Sequence, residues 1–305
     1  MALYLVTGGA GFIGSHIVEA LVRRGERVRV LDNLSTGRPE NLANVIGSVE
    51  LVVGDVRCLD QVRPVLSGVD YVLHQAALVS VPQSMADPQS THEVNVTGTL
   101  NVLIAAREAA AQRVVLASSC AVYGDNDSLP LKETCAPRPL SPYAASKLIG
   151  ETYCQTFFAA YGLPIVCLRY FNIFGARQNP NGDYAAVIPR FVERMKMGLP
   201  PVIYGDGKQT RDFVYVSDVV RANLAACEGP RAAGQVLNVA SGQRISLLKL
   251  VDTLNAVLRT QLTPEFKPAR KGDIRHSAGD SGQMAELLGL GVTTSLAEGL
   301  KQLAA

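Results

Sequence analysis

The stretch Leu3-Tyr4-Leu5-Val6-Thr7-Gly8-Gly9-Ala10-Gly11-Phe12-Ile13-Gly14 decides the fold. An apolar, strand-like run (Leu3–Val6) leads into Gly8, Gly9, Gly11 and Gly14. An amphipathic stretch follows over Phe12–Arg24, and a second apolar run, Val28–Leu31, ends at Asp32. Strand, glycine turn, helix, strand and acid in this order predict a dinucleotide site. The glycines permit a tight turn and let backbone N–H groups approach a pyrophosphate. The helix N-terminus adds partial positive charge for that anion. Gly8, Gly11, Phe12, Ile13 and Gly14 are the expected contacts. Asp32 is placed to accept hydrogen bonds from the adenosine ribose, and it would repel a 2′-phosphate. The expected cofactor is therefore NAD rather than NADP.

Outward from this unit, strand-like and helix-like segments alternate. Strands are predicted at 3–6, 27–31, 49–53, 71–74, 113–117 and 165–168, with helices near 12–24, 59–66, 88–111 and 143–161. Such alternation predicts an α/β fold, a Rossmann-like doubly wound parallel sheet covered on both faces. Ligands then bind beyond the carboxyl ends of the strands. After Tyr170 the pattern loosens. A polar loop (175–182) precedes helices near 185–198, 217–227 and 246–258, the last capped by Ser246, and a short strand at 236–239. The expected division is an NAD-binding domain over 1–170 and a smaller C-terminal α/β lobe over 171–305 that binds substrate, with some chain returning to the first domain.

Composition narrows the class. Of 305 residues, 48% are apolar and 18% charged, enough for a large core and against disorder. A net charge of +2 without a lysine-arginine block points away from nucleic acid. Cys58, Cys120, Cys135, Cys154, Cys167 and Cys227 lack CxxC spacing. They read as reduced thiols, with neither a disulfide framework nor a metal site. Met1 leads straight into the first strand, which predicts no signal peptide, and no apolar run reaches about 18 residues. The expected location is the cytoplasm, away from membranes. Asn95-Val96-Thr97 matches a glycosylation acceptor by chance, inside a predicted helix.

The chemistry is predicted around the end of the fifth strand. Ser118 and Ser119 end that run, and Tyr143 and Lys147 follow four apart on a helix, hence on one face. A lysine ammonium beside a phenol favours the phenolate, and a nicotinamide cation would push the same way. The tyrosine then serves as a base near neutrality, while the Ser119 hydroxyl bridges to the reacting oxygen. This set suits removal of a proton from an alcohol as hydride leaves its carbon for NAD. His16, His74 and His92 read as structural; for His276 a place in the sugar pocket and a bland role stay open.

The ordered set Thr7–Gly14, Gly54-Asp55-Val56, His74-Gln75-Ala76-Ala77, Asn95–Gly98, Ser118-Ser119, Val122-Tyr123-Gly124, Tyr143-xxx-Lys147, Leu168–Asn172 and Arg211-Asp212-Phe213 resembles the extended short-chain dehydrogenase/reductase family along almost the whole chain. The resemblance implies Asp55 and Val56 near the adenine, and Ala76 and Ala77 along the cofactor. It implies Tyr170 beside the nicotinamide and Asn172 near the substrate phosphates. It also assigns Asn33, Ser35, Thr36, Gly37, Gln75, Asn95 and Ser118 to the cofactor site.

Within the family the chain is most similar to UDP-hexose 4-epimerases. Related 4,6-dehydratases carry Asp-Glu just after the position of Ser119, and decarboxylases a Glu at the position of Ala121; this chain has Cys120-Ala121. The subgroup that accepts N-acetylated sugars is the most similar, through Arg169–Pro180, Asp183–Pro189 and Gly272–Ser277. Galactose-restricted bacterial enzymes have a bulky tyrosine at the position resembling Ser277. A small residue there leaves room for an acetamido group. Val79 replaces a lysine common in galactose epimerases and leaves Ser80 as a sugar ligand. Arg211 and Arg270 match residues that grip the diphosphate, a role that suits guanidinium forks. Val187 and Asp273 complete the implied substrate set. The resemblance implies tightly held NAD, a UDP-sugar substrate and a homodimer built on a four-helix interface. UDP-glucose/galactose-only or UDP-uronic acid epimerisation, and a non-catalytic NAD-binding regulator, stay open as alternatives.

Overall fold

A computed structural model describes residues 1–180, 186–269 and 274–304. Arg270 and Asp273, two of the expected substrate contacts, lie outside the described residues, as do the stretches 181–185 and 270–273 of the quoted motifs.

Seven strands build one sheet: β1 (Leu3–Thr7), β2 (Arg27–Asp32), β3 (Val49–Val53), β4 (Tyr71–His74), β5 (Arg113–Ser119), β6 (Ile165–Tyr170) and, after four short strands elsewhere, β11 (Val236–Val239). Their order is β11-β6-β5-β4-β1-β2-β3 and every pairing is parallel. All five residues of β1 and all six of β6 are buried, as expected for strands covered on both sides. The chain runs outward from β1 to β3 and then returns to β4 beside β1. That reversal opens a crevice at the carboxyl ends of β1 and β4, where open α/β sheets bind ligands.

The helices beside this sheet are α1 (Phe12–Arg23), α2 (Leu59–Val65), α3 (Val81–Ala86), α4 (Pro88–His92), α5 (Gly98–Glu108), α6 (Pro142–Tyr161) and α8 (Val216–Glu228), with α7 (Val187–Lys196) further out. One apolar cluster joins Ile17, Val18 and Leu21 of α1 with Val219 and Leu224 of α8 and the strand residues Val6 and Val115. A second joins Val62 of α2, Leu103 of α5 and Phe157 of α6 with Leu5, Val72 and Val114. Alternate strand residues thus feed opposite layers. Helix α8 and strand β11 come from beyond Tyr170, so the second half of the chain closes one face and one edge of the sheet.

The remaining elements are β7 (Asn172–Phe174), β8 (Val202–Tyr204), β9 (Thr210–Arg211), β10 (Phe213–Tyr215), β12 (Ile245–Ser246), β13 (Glu265–Lys267), α9 (Leu247–Leu258), α10 (Gly282–Leu288) and α11 (Leu296–Ala304). A third core, with Phe174, Phe191, Ile203, Phe213 and Leu254, holds the smaller lobe. Ser246 caps α9 by accepting the Lys249 N–H at 3.1 Å, as predicted. One expected helix differs. The stretch 88–111 is split by a π turn at Glu93–Thr97, between α4 and α5. The turn holds Asn95, whose side chain bonds both the N–H and the C=O of Leu78 at 2.8 and 2.9 Å. Such a tertiary demand on one residue is invisible to helical periodicity, and π turns of this kind gather near functional sites.

Candidate active site

The crevice between β1 and β4 widens into a cavity of about 760 Å³, within the range of small-molecule sites. Its near wall is the glycine turn. Gly8 sits at φ +67, and a Cβ there would lie 2.7 Å from the Ala76 nitrogen. A Cβ on Gly14 would lie 2.1 Å from the Gly8 carbonyl oxygen. Only glycine satisfies either position. Gly11, Phe12, Ile13 and Gly14 line the cavity, so the first N–H groups of α1, which have no acceptor within the helix, open onto it.

Asp32 ends β2 at the same cavity. Its carboxylate accepts the N–H of Ala10 at 3.0 Å and of Leu34 at 2.9 Å, which fixes its position. Asn33, Ser35, Thr36, Gly37, Val56, Gln75, Ala76, Ala77 and Ser118 also line the cavity. Asp55 and Asn95 do not. Arg57 takes the Asp55 carboxylate through its side-chain Nε and Nη2, and Asn33 donates to it as well. The Arg57 hydrogen bond holds the carboxyl at about 2. Asn95 uses its remaining amide hydrogen on Ser146 at 2.9 Å. Both residues stand behind the wall and shape it. A glycine-lined seat for an anion, with a fixed carboxylate beyond it, fits NAD.

The predicted reacting groups meet at the other end. Ser119 closes β5, Tyr143 and Lys147 lie one turn apart on α6, and all three line the cavity with Tyr170. Ser141 caps α6 by accepting the Ala144 N–H at 3.2 Å, and Pro142 sits at its first position, so the helix starts just before Tyr143. Lys147 Nζ donates to the Ala117 carbonyl at 2.8 Å.

The electrostatics differ from expectation. The sequence predicts a phenol made acidic by its lysine neighbour. Burial instead pushes Tyr143 up to about 12, and a hydrogen bond with the Ser119 hydroxyl offsets only part of that. Burial also brings Lys147 down to about 8, against the opposing pull of Glu151. Desolvation is the largest influence on both groups. His74, fully buried beneath, is pushed down to about 3 by burial and by Lys147, so it stays neutral. It bridges Thr7 at 2.6 Å and Thr99 at 3.1 Å, consistent with a structural role.

A buried ion pair supports this end from behind. Glu151, one turn beyond Lys147, takes Arg169 Nε at 2.9 Å and Nη2 at 2.7 Å. It also accepts the Ser118 hydroxyl at 2.5 Å. The Arg169 guanidinium stacks 4.7 Å from the centre of the Tyr123 ring. Burial opposes its charge, but the bonds to Glu151 hold its pKa above the ordinary value.

A second cavity, about 460 Å³, is lined by Asn172, Val187, Tyr204 and Arg211, with the cations Arg190, Arg194 and Lys267. Ile173 and Ala186 line both cavities, so the two meet at that wall. Ser80 lines the first cavity and caps α3 through the Gln83 N–H at 3.2 Å. Ser277 lines neither. It is buried, its N–H bonded to the Thr210 carbonyl at 3.2 Å and its hydroxyl to the Cys120 thiol. His276 Nδ1 lies 2.9 Å from the Thr210 hydroxyl. Sequence reasoning missed Arg38, Gln83, Arg177 and Gln178 on the first cavity wall, and Asn223 behind it. Arg177 lies within a quoted motif, but its pairing with Glu19 at 2.7 Å spans 158 residues, and no local signal marks it.

The sequence profile of the NAD dependent epimerase/dehydratase family matches residues 4–240. A UDP-glucose 4-epimerase of Mycolicibacterium smegmatis is 39% identical over 305 residues, which cover 97% of this chain and 95% of that protein. Among solved structures, a UDP-N-acetylglucosamine 4-epimerase from Methanobrevibacter ruminantium, in complex with UDP-N-acetylmuramic acid, superposes with a TM-score of 0.96 at 40% identity, over 99% of this chain and 97% of that one. A UDP-glucose 4-epimerase of Thermus thermophilus, in complex with NAD, gives a TM-score of 0.89 at 37% identity, over 99% and 97%. With glycine turn, carboxylate and reacting end in one cavity, and relatives matched over nearly their whole length, the chain belongs to the NAD dependent epimerase/dehydratase family of extended short-chain dehydrogenases/reductases, and it is an NAD-dependent enzyme of UDP-sugar 4-epimerase kinship.

Proposed function

We propose that this chain interconverts UDP-hexoses at C4, acting on UDP-N-acetylglucosamine and UDP-N-acetylgalactosamine and also on UDP-glucose and UDP-galactose. One observation carries the reading. Among the described residues that line the two cavities, the only carboxylate is Asp32, at the glycine-turn end. The reacting end offers a phenol, an ammonium and a hydroxyl. Elimination of water needs a further acid and base there; reversible oxidation does not.

When bound, NAD supplies the reversible oxidation at the substrate carbon and a positive charge that favours the phenolate. Tyr143 would take the proton of the C4 hydroxyl as hydride leaves that carbon for NAD, and would give the proton back to the same oxygen when hydride returns to the opposite face of the carbon. Ser119 holds the same oxygen by a hydrogen bond. Lys147, held by Ala117, presents its charge on the same helix. Arg211 and Asn172 in the adjoining basic cavity suit the diphosphate, and the free turning of the keto-sugar requires that the nucleotide alone anchor it. The acetylated pair is included on the resemblance: Ser277 is small where galactose-restricted relatives carry a bulky tyrosine, although it lines neither cavity here. We also infer a homodimer through the helices near 88–111 and 143–161: Ile149, Phe158 and Tyr161 of α6 are exposed apolar side chains, and the neighbouring α3 adds exposed Val81 and Met85. No described helix is long and apolar enough to cross a membrane.

The test is incubation with the four UDP-sugars and chromatography of the products. Conversion of both pairs is expected. Conversion of the unacetylated pair alone would remove the Ser277 argument, and conversion of neither would remove 4-epimerisation. Ser277→Tyr should impair the acetylated pair selectively; equal losses would show that this position is no gate.

A further inference from the structure

Asn223 lies on α8, in the half of the chain assigned to the substrate lobe, and is fully buried. No motif marks it. Its amide nevertheless touches two residues that line the dinucleotide cavity. Asn223 Oδ1 accepts from Gln75 Nε2 at 3.0 Å, and Asn223 Nδ2 donates to the Tyr170 hydroxyl at 2.8 Å. The Tyr170 hydroxyl also lies 2.9 Å from Asn223 Oδ1 and 3.2 Å from Gln75 Oε1, the two acceptors within its reach. Each pair among the three side chains is thus hydrogen-bonded, so the ring closes. The second amide hydrogen of Asn223 goes to the Val219 carbonyl at 2.8 Å, one turn back on the same helix. That bond fixes which end of the amide carries the donor. Burial pushes the Tyr170 phenol above its ordinary pKa, so it keeps its proton and can donate.

The position of the ring gives it meaning. Tyr170 ends β6 and lies opposite Ser119 in the β5–β6 register. Gln75 follows β4, which is adjacent to β1 at the switch point. The ring therefore joins the last residue of β6 to the residue just after β4, on two strands that flank the reacting end, from the side opposite α6. Among the described residues, nothing comparable ties Asp32 or Val56 at the other end to α8.

We propose that Asn223 is a positioning residue for the nicotinamide half of the cofactor: it locks Gln75 and Tyr170 into one wall of the cavity beside Ser119, and leaves the adenosine half alone. The inference rests on NAD as the cofactor and is independent of which sugar is epimerised. Its consequence is a split between two ligands. ADP-ribose has the adenosine, the diphosphate and the second ribose of NAD but no nicotinamide ring.

The experiment is calorimetric titration of the full chain, stripped of nucleotide, with NAD and separately with ADP-ribose. Asn223→Ala leaves Gln75 and Tyr170 with buried unpaired groups, and NAD affinity should fall roughly tenfold. ADP-ribose affinity should stay within twofold of the parent, as expected for a contact the ring does not make. Tyr170→Phe keeps the ring volume, opens the same hydrogen-bond ring and should show the same split. The double variant should bind NAD no more weakly than the worse single variant, as for parts of one unit. Equal losses for both ligands would make Asn223 a fold residue only and overturn the proposal, as would no loss for NAD. If Asn223→Ala does not fold, Tyr170→Phe and Asn223→Ser decide by the same comparison. Epimerisation assays on the parent protein report separately on the sugar, so failure there leaves this outcome readable.

Discussion

Removing Arg169 should destabilise the chain far more than a surface arginine would. Arg169 and Glu151 are 5% and 3% exposed, and the pair is bidentate at 2.9 and 2.7 Å. In Arg169→Met, Glu151 keeps the Ser118 hydroxyl and the attraction of Lys147 but loses its bidentate counter-charge while still buried. Breaking such a pair costs about 3–5 kcal/mol. At roughly 2 °C per kcal/mol for a chain of this size, the melting midpoint should drop by about 6–10 °C. Replacing both partners, as in Arg169→Met with Glu151→Leu, removes the stranded charge and should recover most of the loss, because well-packed apolar replacements of buried pairs are often neutral. Urea unfolding of the parent, both single variants and the double variant forms a complete cycle. A loss below about 1 kcal/mol in Arg169→Met would mean that water reaches Glu151 and that the pair is not desolvated. A double variant as unstable as the single would show that packing of Arg169 on Tyr123, not charge, carries the effect. The site should also respond, since Glu151 holds Ser118 beside Ser119 and supports the charge of Lys147.

Three further outcomes follow from the same geometry. Tyr143→Phe should lower kcat by about 10²–10⁴ with little change in substrate KM, because a positioned base contributes about that much; an unchanged kcat in product chromatography would assign the base elsewhere. Arg211→Ala should weaken UDP binding by about tenfold to a hundredfold, the worth of a charge-assisted hydrogen bond, and calorimetry showing equal affinity would move the diphosphate out of the second cavity. His74 has a folded pKa of about 3 against 6.5 when unfolded. Between those values the unfolded chain binds the extra proton, so stability falls as pH drops through 6.5 and continues to fall toward 3. At two units below the unfolded value the loss is about 3 kcal/mol. His74→Gln, compared with the parent by urea unfolding across acid pH, should lose that component of the slope; parallel curves would show that His74 is not buried neutral.

Much of this architecture is local in origin and was legible. The turn Gly8–Gly14, the acid at Asp32 and the spacing of Tyr143 and Lys147 are each short patterns. Their physics acts within one turn or one strand–helix unit. Strands β3 and β4 fall where the apolar runs end, and Ser246 caps α9 because its hydroxyl is tied to a neighbour three residues away. The divided helix at Glu93–Thr97 was not legible, because a contact with Leu78 sets it rather than periodicity.

Sequence by itself determined the fold class and the NAD-type glycine turn, and it proposed the reacting groups, since these rest on backbone geometry and on spacing along a single element. Tertiary structure decided their environment. Burial, which no residue carries in its name, raises Tyr143 and lowers Lys147, against the simple expectation for a neighbouring pair. It also decided which residues stand behind the walls. Glu151 meets Arg169 across 18 positions, and Asn223 meets Tyr170 across 53 and Gln75 across 148. Hydrogen bonds between groups so far apart in the chain exist only after the sheet has brought its strand ends together, and no local pattern can announce them.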